Sequence, residues 1–424
     1  MILLYRILTT ILYPVFVILI YLRKMLKKED PIRFREKIFP RYFNVKRDRE
    51  NKLIWFHAAS VGELKSILPL VNELNNKNKK LEFLITTITI TSAQLAKDEF
   101  RNFNNVHHRF FPIDSGFLMK KFINLWKPKI IFLVDSEIWP NLIFIAKKNN
   151  ILLAMLNARI TKKTYKKWML FPDVAKKIFT NFDICLSSSL ETKKFLFDLN
   201  AKNIFFLGNL KLADDVVKKN YNKSYQDFFK YNKCWAAIST HQSEEELCLN
   251  VHLILKSQLQ NLKTIIAPRH INRVNDIKKI CEDKKLTYQV LQKGEKILTD
   301  KEIILVNFYG ELPIFLKNIN SVFLGKSTIK KLKNVGGQNP IDAAKLGCKI
   351  YHGPFVYNFQ EIYELFKDYD IAKEIRGLED LASQVKFDFD NPEKNNLEIS
   401  KKIIKLGQQT LEDTMEKINE LLKK

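Results

Sequence analysis

The stretch KIIFLV at residues 129–134 constrains the fold more than any other part of the chain. After Lys129 it is apolar at five consecutive positions, with no polar alternation. A strand with that pattern is buried on both faces, and such strands belong to parallel sheets covered by helices on either side. Short apolar runs recur at 54–58, 83–87, 152–156, 184–187 and 204–207, interspersed with helical segments. A second series follows at 236–239, 264–267, 303–307, 321–324 and 349–352. Strands alternating with helices in this way predict an α/β fold of doubly wound parallel sheets. A chain of 424 residues exceeds one ordinary core, so two domains are expected. The polar, Lys- and Asn-rich stretch 212–233 reads as the crossing, dividing a first domain at 29–215 from a second at 216–424. Two such domains facing a central cleft would bind ligands at their strand ends.

Residues 2–22 are apolar apart from Arg6 and two threonines, close to the length a membrane-spanning helix needs. Arg23, Lys24, Lys27 and Lys28 follow at once, which puts the later residues on the cytoplasmic side. Residues 1–28 therefore read as a membrane anchor. Arg6 and Pro14 leave a helix lying in the interface as a competing reading, and an internal core helix as a third. The chain carries 71 Lys and Arg against 46 Asp and Glu, a net charge of +25. Such a surface attracts anionic partners: acidic lipid, phosphorylated substrate or nucleic acid. Five scattered cysteines without a CxxC pair argue against zinc and against a disulfide framework, and fit a reducing compartment.

Residues 54–74 (IWFHAASVGELKSILPLVNEL) read as strand, tight turn and helix, with Glu63 where the helix begins. A carboxylate there feels the positive end of the helix dipole and is expected to stay ionised at neutral pH. On a turn at a sheet edge it can serve as a general base. Ser60 and Glu63 also make a Ser-x-x-Glu capping box, in which the carboxylate only ties down a backbone N–H; both readings stand. Glu137 follows the strand at 129–134, and Lys211 follows Gly208-Asn209-Leu210 after another strand. Either alone is an ordinary surface charge. Strand-end loops of one parallel sheet share an edge, so Glu63, Glu137 and Lys211 can converge.

In the second half, GGQNP opens the helix IDAAKLG. Gly336 and Gly337 allow close backbone approach, Asn339 suits an N-cap, and Pro340 the first helical position. Such a start binds phosphate through its free N–H groups, or is simply a helix start. Arg269, just past a strand, can clamp a phosphate or lie in solvent. Ser243 and Glu246 are placed as a second capping box. The GKST at 325–328 is not a P-loop, since Asn320 stands where the first glycine would be. His57, His241 and His270 lie at strand ends and carry little weight singly. No Asp-x-Asp pair sits at a strand end, so no metal or other cofactor is expected.

Together HAASVGE, SEIWPN, NARIT, GNLK, STH, APRH, YGEL, GGQNP and GPFVYNF resemble, in order and spacing, the motifs of the bacterial Kdo transferases. That family moves 3-deoxy-D-manno-octulosonic acid (Kdo) from CMP-Kdo to the lipid A precursor, lipid IVA, in lipopolysaccharide synthesis. The resemblance implies a GT-B glycosyltransferase of two Rossmann-like domains, with the acceptor on the first and CMP on the second. It implies Glu63 as the base, with Glu137 and Lys211 assisting the transition state. It assigns Pro268, Arg269, Tyr309, Gly310, Glu311, Asn339, Pro340, Ile341 and Asp342 to CMP. The family usually has Met where Tyr309 stands, His where Gln338 stands and Glu where Asp342 stands. The implied partners are CMP-Kdo, lipid IVA and anionic inner-membrane lipid rather than nucleic acid, with the catalytic domains on the cytoplasmic face of the cell inner membrane. The alternatives weighed are a GT-B enzyme using another nucleotide sugar and a non-enzymatic basic binding protein, whose binding would be all charge and salt-sensitive.

Overall fold

The computed structural model describes residues 2–43, 47–214, 223–391 and 396–423. The chain forms two compact units, Met1–Asp214 with Leu406–Lys424, and Asp215–Lys405. In the first, seven strands make one parallel sheet: β1 Lys52–His57, β2 Leu81–Thr87, β3 Val106–Phe110, β4 Ile130–Val134, β5 Leu152–Ala158, β6 Ile184–Ser187 and β7 Ile204–Phe206. Their order is β3-β2-β1-β4-β5-β6-β7. The chain runs outward from β1 to β3, then returns to lay β4 on the other side of β1. That reversal is a topological switch point, where helices diverge and leave room for ligands at the carboxyl edge. Every residue of β2 and β4 is buried, as the two-sided apolar runs require. Trp55, Phe56, Phe83 and Phe132 are fully enclosed, each contributing about 1.5–3 kcal/mol.

The second unit repeats the plan with β8 Lys233–Thr240, β9 Leu262–Pro268, β10 Tyr288–Leu291, β11 Ile303–Val306, β12 Ser321–Leu324, β13 Lys349–His352 and β14 Ala372–Glu374. These run parallel in the order β10-β11-β9-β8-β12-β13-β14, with the switch point between β8 and β12. All five cysteines are buried and free.

Two expectations change. The C-terminal helix Asn396–Lys423 does not stay with the second unit: from Leu406 onward the chain belongs to the first, not to a domain running 216–424. Met415, Ile418 and Leu421 pack with Leu64, Ile67, Val71 and Leu210. Gly407 permits this, because a Cβ there would lie 2.1 Å from the Leu212 carbonyl oxygen. Nor is there one anchor helix over 1–28. Two helices, Ile2–Ile11 and Tyr13–Met25, are bent by 57°, and no single helix among the described residues is long and apolar enough to cross a membrane. The break directly precedes Pro14, whose ring removes an N–H and cannot follow a preceding helical turn.

The first of these helices is tied to the sheet domain by buried polar contacts. Tyr5 donates to Asp114 Oδ2 at 2.9 Å, and Asn141 Nδ2 donates to Thr9 Oγ1 at 3.1 Å. Asp114 also accepts from the backbone N–H groups of Asn141 and Leu142. Burial nevertheless pushes its carboxyl up to about 6. Leu3, Leu4, Ile7, Leu8 and Ile11 of the same helix face outward, exposed.

Candidate active site

The β1–β4 switch point gathers four charged side chains. Glu63 enters through the helix Val61–Lys77, which starts directly after the turn that follows β1. Ser60 caps that helix, its Oγ accepting from the Glu63 N–H at 3.3 Å. The Glu63 carboxylate reaches back, Oε2 accepting from the Ala59 N–H at 2.7 Å and Oε1 from the Ser60 hydroxyl at 2.8 Å. The capping geometry is therefore real, and it fixes the carboxylate at the sheet edge.

The loop after β4 supplies Asp135 and Glu137. Glu137 Oε2 accepts from Trp139 Nε1 at 2.8 Å and lies 3.3 Å from His57 Nε2. His57 is wholly buried. Its ring stacks on Phe111 with centroids 3.8 Å apart, and Nδ1 lies 3.0 Å from the Thr86 hydroxyl. Lys211 arrives from the turn after β7. Its Nζ donates to Asp135 Oδ2 at 2.8 Å. Its own N–H is held by Asn209 Oδ1 at 3.0 Å, and the preceding Leu210 N–H by Asn157 Oδ1 at 2.9 Å.

The charges decide the state of Glu63. Burial first, then the neighbouring Asp135 and Glu137 carboxylates, raise its carboxyl to about 7, against the lowering pull of the Ser60 and Ala59 bonds. The expectation that the helix start keeps Glu63 fully ionised at neutral pH is thus corrected. Desolvation and two like charges outweigh a dipole effect of about 0.3–1 kcal/mol. The result is a carboxylate poised near neutrality, which suits a general base.

Glu63, Glu137 and Lys211 share one sheet edge, and the structure adds Asp135 and Asn157 to them. Both added residues stand at or just past the end of an apolar strand with positive φ, 61° and 51°, a backbone that Asp and Asn tolerate better than most residues. The legible signal was a polar Asx directly at the end of a continuous apolar run.

In the second unit the residues singled out also fall at carboxyl strand ends. Pro268 closes β9, and the N–H of the exposed Arg269 donates to the Thr240 carbonyl at 3.0 Å. Tyr309, after β11, lies over that turn: its hydroxyl accepts from the Ile271 N–H at 3.3 Å and donates to the Arg269 carbonyl at 3.5 Å. A Tyr therefore ties two expected nucleotide loops together here. Gly310 has φ +91° with open space beside it, and Glu311 pairs with Lys293 at 3.2 Å.

The helix after GGQNP is short, Ile341–Lys345, with Pro340 rather than Asn339 at its cap position. Asn339 Oδ1 instead accepts from the Ile341 N–H at 3.1 Å. Asn339 and Asp342 are exposed, whereas Pro340 and Ile341 are buried, so only the backbones of the latter two can meet a ligand. The glycines are set by crowding: a Cβ on Gly336 would lie 2.2 Å from the Phe355 oxygen, and one on Gly337 2.9 Å from Val356 Cα. The GGQNP and GPFVYNF loops thus pack backbone against backbone.

The second capping box is not formed. Ser243 makes no cap bond, and Glu244 takes the decisive place. Its buried carboxylate accepts from the N–H groups of His241, Lys326, Ser327 and Thr328 and from the Thr328 hydroxyl, at 2.6–3.0 Å. The backbone N–H cluster of GKST is therefore filled by the protein's own carboxylate. Among the described residues no three His, Cys, Asp or Glu side chains group as metal ligands.

Known proteins resemble this chain in sequence and in fold. Residues 33–214 match the family model described as 3-deoxy-D-manno-octulosonic-acid transferase (kdotransferase). The 3-deoxy-D-manno-octulosonic acid transferase of Rickettsia bellii is 29% identical over 423 residues, covering 97% of this chain and 98% of that protein. An Arabidopsis thaliana protein, "Probable 3-deoxy-D-manno-octulosonic acid transferase, mitochondrial", is 30% identical over 73% of this chain and 70% of its own length. Among solved structures, a glycosyltransferase from Rickettsia africae has a TM-score of 0.53 at 12% identity, covering 89% of this chain and all (100%) of that one. A UDP-GlcNAc 2-epimerase from Neisseria meningitidis has a TM-score of 0.55 at 12% identity, covering 88% and 99%. These two likenesses concern the fold: two parallel-sheet α/β domains of the GT-B kind.

Proposed function

The chain belongs to the 3-deoxy-D-manno-octulosonic acid transferase family, and on that premise we propose that it transfers Kdo from CMP-Kdo to the lipid A precursor, lipid IVA. It is a glycosyltransferase, and the reaction belongs to lipopolysaccharide synthesis. The observation that carries the site assignment is the cluster of Glu63, Asp135, Glu137 and Lys211 at one switch point, with Glu63 titrating near 7.

In this reading Glu63 takes the proton from the acceptor hydroxyl as its oxygen attacks the anomeric carbon. The bond from that carbon to the CMP phosphate breaks, through an oxocarbenium-like state of the kind glycosyl transfer shares with glycoside cleavage. Glu137, held by Trp139, faces the positive charge that develops on the sugar. Lys211 supplies a cation at the same edge. Pro268, Arg269, Tyr309, Gly310, Glu311 and residues 339–342 receive CMP, with Arg269 at the phosphate. Fixed protein charges carry the stabilisation, so neither a metal nor another cofactor is needed.

The acceptor is a lipid, and the N-terminal helices fit a protein held at the inner leaflet with its catalytic units in the cytoplasm. The exposed row of Leu and Ile on Ile2–Ile11, followed by Arg23, Lys24, Lys27 and Lys28, suits an anionic membrane surface.

Glu63→Gln tests the assignment. The variant keeps the bond from the Ala59 N–H, since the one amide oxygen still accepts, while the Ser60 hydroxyl turns to accept from the new NH2; it should fold and bind CMP as the wild type does. Transfer should fall by about a hundredfold or more, the usual worth of a general base. Turnover near the wild-type rate would leave Glu63 as a helix cap alone.

A further inference from the structure

We propose that Asp135 is a positioning residue of this site: it anchors the Lys211 ammonium at the end of β4 and holds a second negative charge against Glu63. The inference rests on the transfer reaction assigned above and adds a residue to it.

Asp135 is 8% exposed and sits at φ 61°. Its backbone is fixed from both sides, the N–H donating to the Leu156 carbonyl at 3.0 Å and the carbonyl accepting from the Arg159 N–H at 3.2 Å. Its side chain is held at Oδ2, which takes Lys211 Nζ at 2.8 Å, while Oδ1 lies 3.0 Å from Ser136 Oγ, whose single proton is shared with the Arg159 carbonyl at 2.7 Å. A carboxylate this constrained leaves Lys211 little freedom. Lys211 hangs from a short turn and would otherwise carry a flexible four-carbon stem.

The same carboxylate is one of the two like charges that act on Glu63. The groups around Glu63 are Asp135 and Glu137 from the loop after β4, Lys211 reaching Asp135 from the turn after β7, and His57 reaching Glu137 from the end of β1. Arg159 follows β5. Removing the Asp135 charge relieves repulsion on ionised Glu63 and also leaves Lys211 without its counter-ion. Both effects favour the ionised base, so they act in the same direction.

The test is Asp135→Asn, a change that keeps shape and tolerates the same positive φ. In the full-length protein with CMP-Kdo and lipid IVA, kcat should fall about tenfold or more, while KM for CMP-Kdo stays within about twofold. The acid limb of the pH–rate profile should move to lower pH. In a Lys211→Met background, Asp135→Asn should cost little more, because the two residues act as one pair. In the absence of substrate, carbon-13 NMR of the Glu63 carboxyl should show its titration midpoint lowered in Asp135→Asn. An unmoved midpoint overturns the proposal whatever the activity. So does a kcat loss that multiplies with that of Lys211→Met, which marks a structural role. A wild-type protein that transfers no Kdo while the Glu63 midpoint still shifts would strike at the assigned reaction and leave the electrostatic role of Asp135 intact.

Discussion

In the proposed reading Glu63 serves two ends. Its bonds to Ala59 and Ser60 stabilise a helix start, and the same bonds hold it rigid where a base is wanted. The electrostatics oppose its ionisation. Its folded pKa, about 7, stands above the ordinary value of 4.5. The stabilising contribution is therefore complete below about pH 4.5 and is lost as pH rises through 7. The ionised carboxylate that chemistry needs costs on the order of 3 kcal/mol of stability. Two measurements follow from that sign. The acid limb of kcat/KM should lie near pH 7, with activity rising between pH 6 and 8. Glu63→Gln should gain thermal stability over the wild type at pH 8 and little at pH 5. A limb near pH 4.5, with no such gain, would mean that neither burial nor the Asp135 and Glu137 carboxylates raise Glu63.

Among the elements, the central strands were the most readable. The run at 129–134 became β4, buried at all five positions Ile130–Val134. The edge strands β10 and β14 carried no such run. Tyr288–Leu291 is mostly half-buried and Ala372–Glu374 mostly exposed, so hydropathy gave no signal. Nothing local could assign the last helix either, since its apolar stripe fits any exposed sheet face, and only tertiary packing against Leu64 and Leu210 chooses one.

The N-terminal pair is the element with a prediction of its own. Tyr5 and Thr9 pin Ile2–Ile11 to Asp114 and Asn141, so the helix is part of the sheet domain and leaves its outer apolar row exposed, the row that the proposed function sets against a membrane. Membrane-bound protein should resist a wash at about 1 M salt, where the Debye length is only about 3 Å, and come off with detergent. Release by salt alone would leave electrostatic docking as the whole attachment.

At the level of the molecule, both units place their candidate residues at the carboxyl edge of a parallel sheet around a switch point. That regularity is why the strand ends drew attention to Glu63, Glu137, Lys211 and Arg269, each beside a plainer reading as cap or surface charge, while Tyr309 was singled out only by the family resemblance. What stayed hidden were the partnerships that depend on three dimensions. Asp135 pairs with Lys211 across 76 residues, and Glu244 fills the backbone cluster at 326–328 from a distant helix. No spacing rule links such positions. The identity of the reaction is reached most directly by one measurement: the mass of the lipid recovered after purified full-length protein is incubated with CMP-Kdo and lipid IVA. A lipid heavier by one or more Kdo residues, formed with release of CMP, is the predicted result. Unchanged lipid IVA beside folded protein that binds CMP would contradict it.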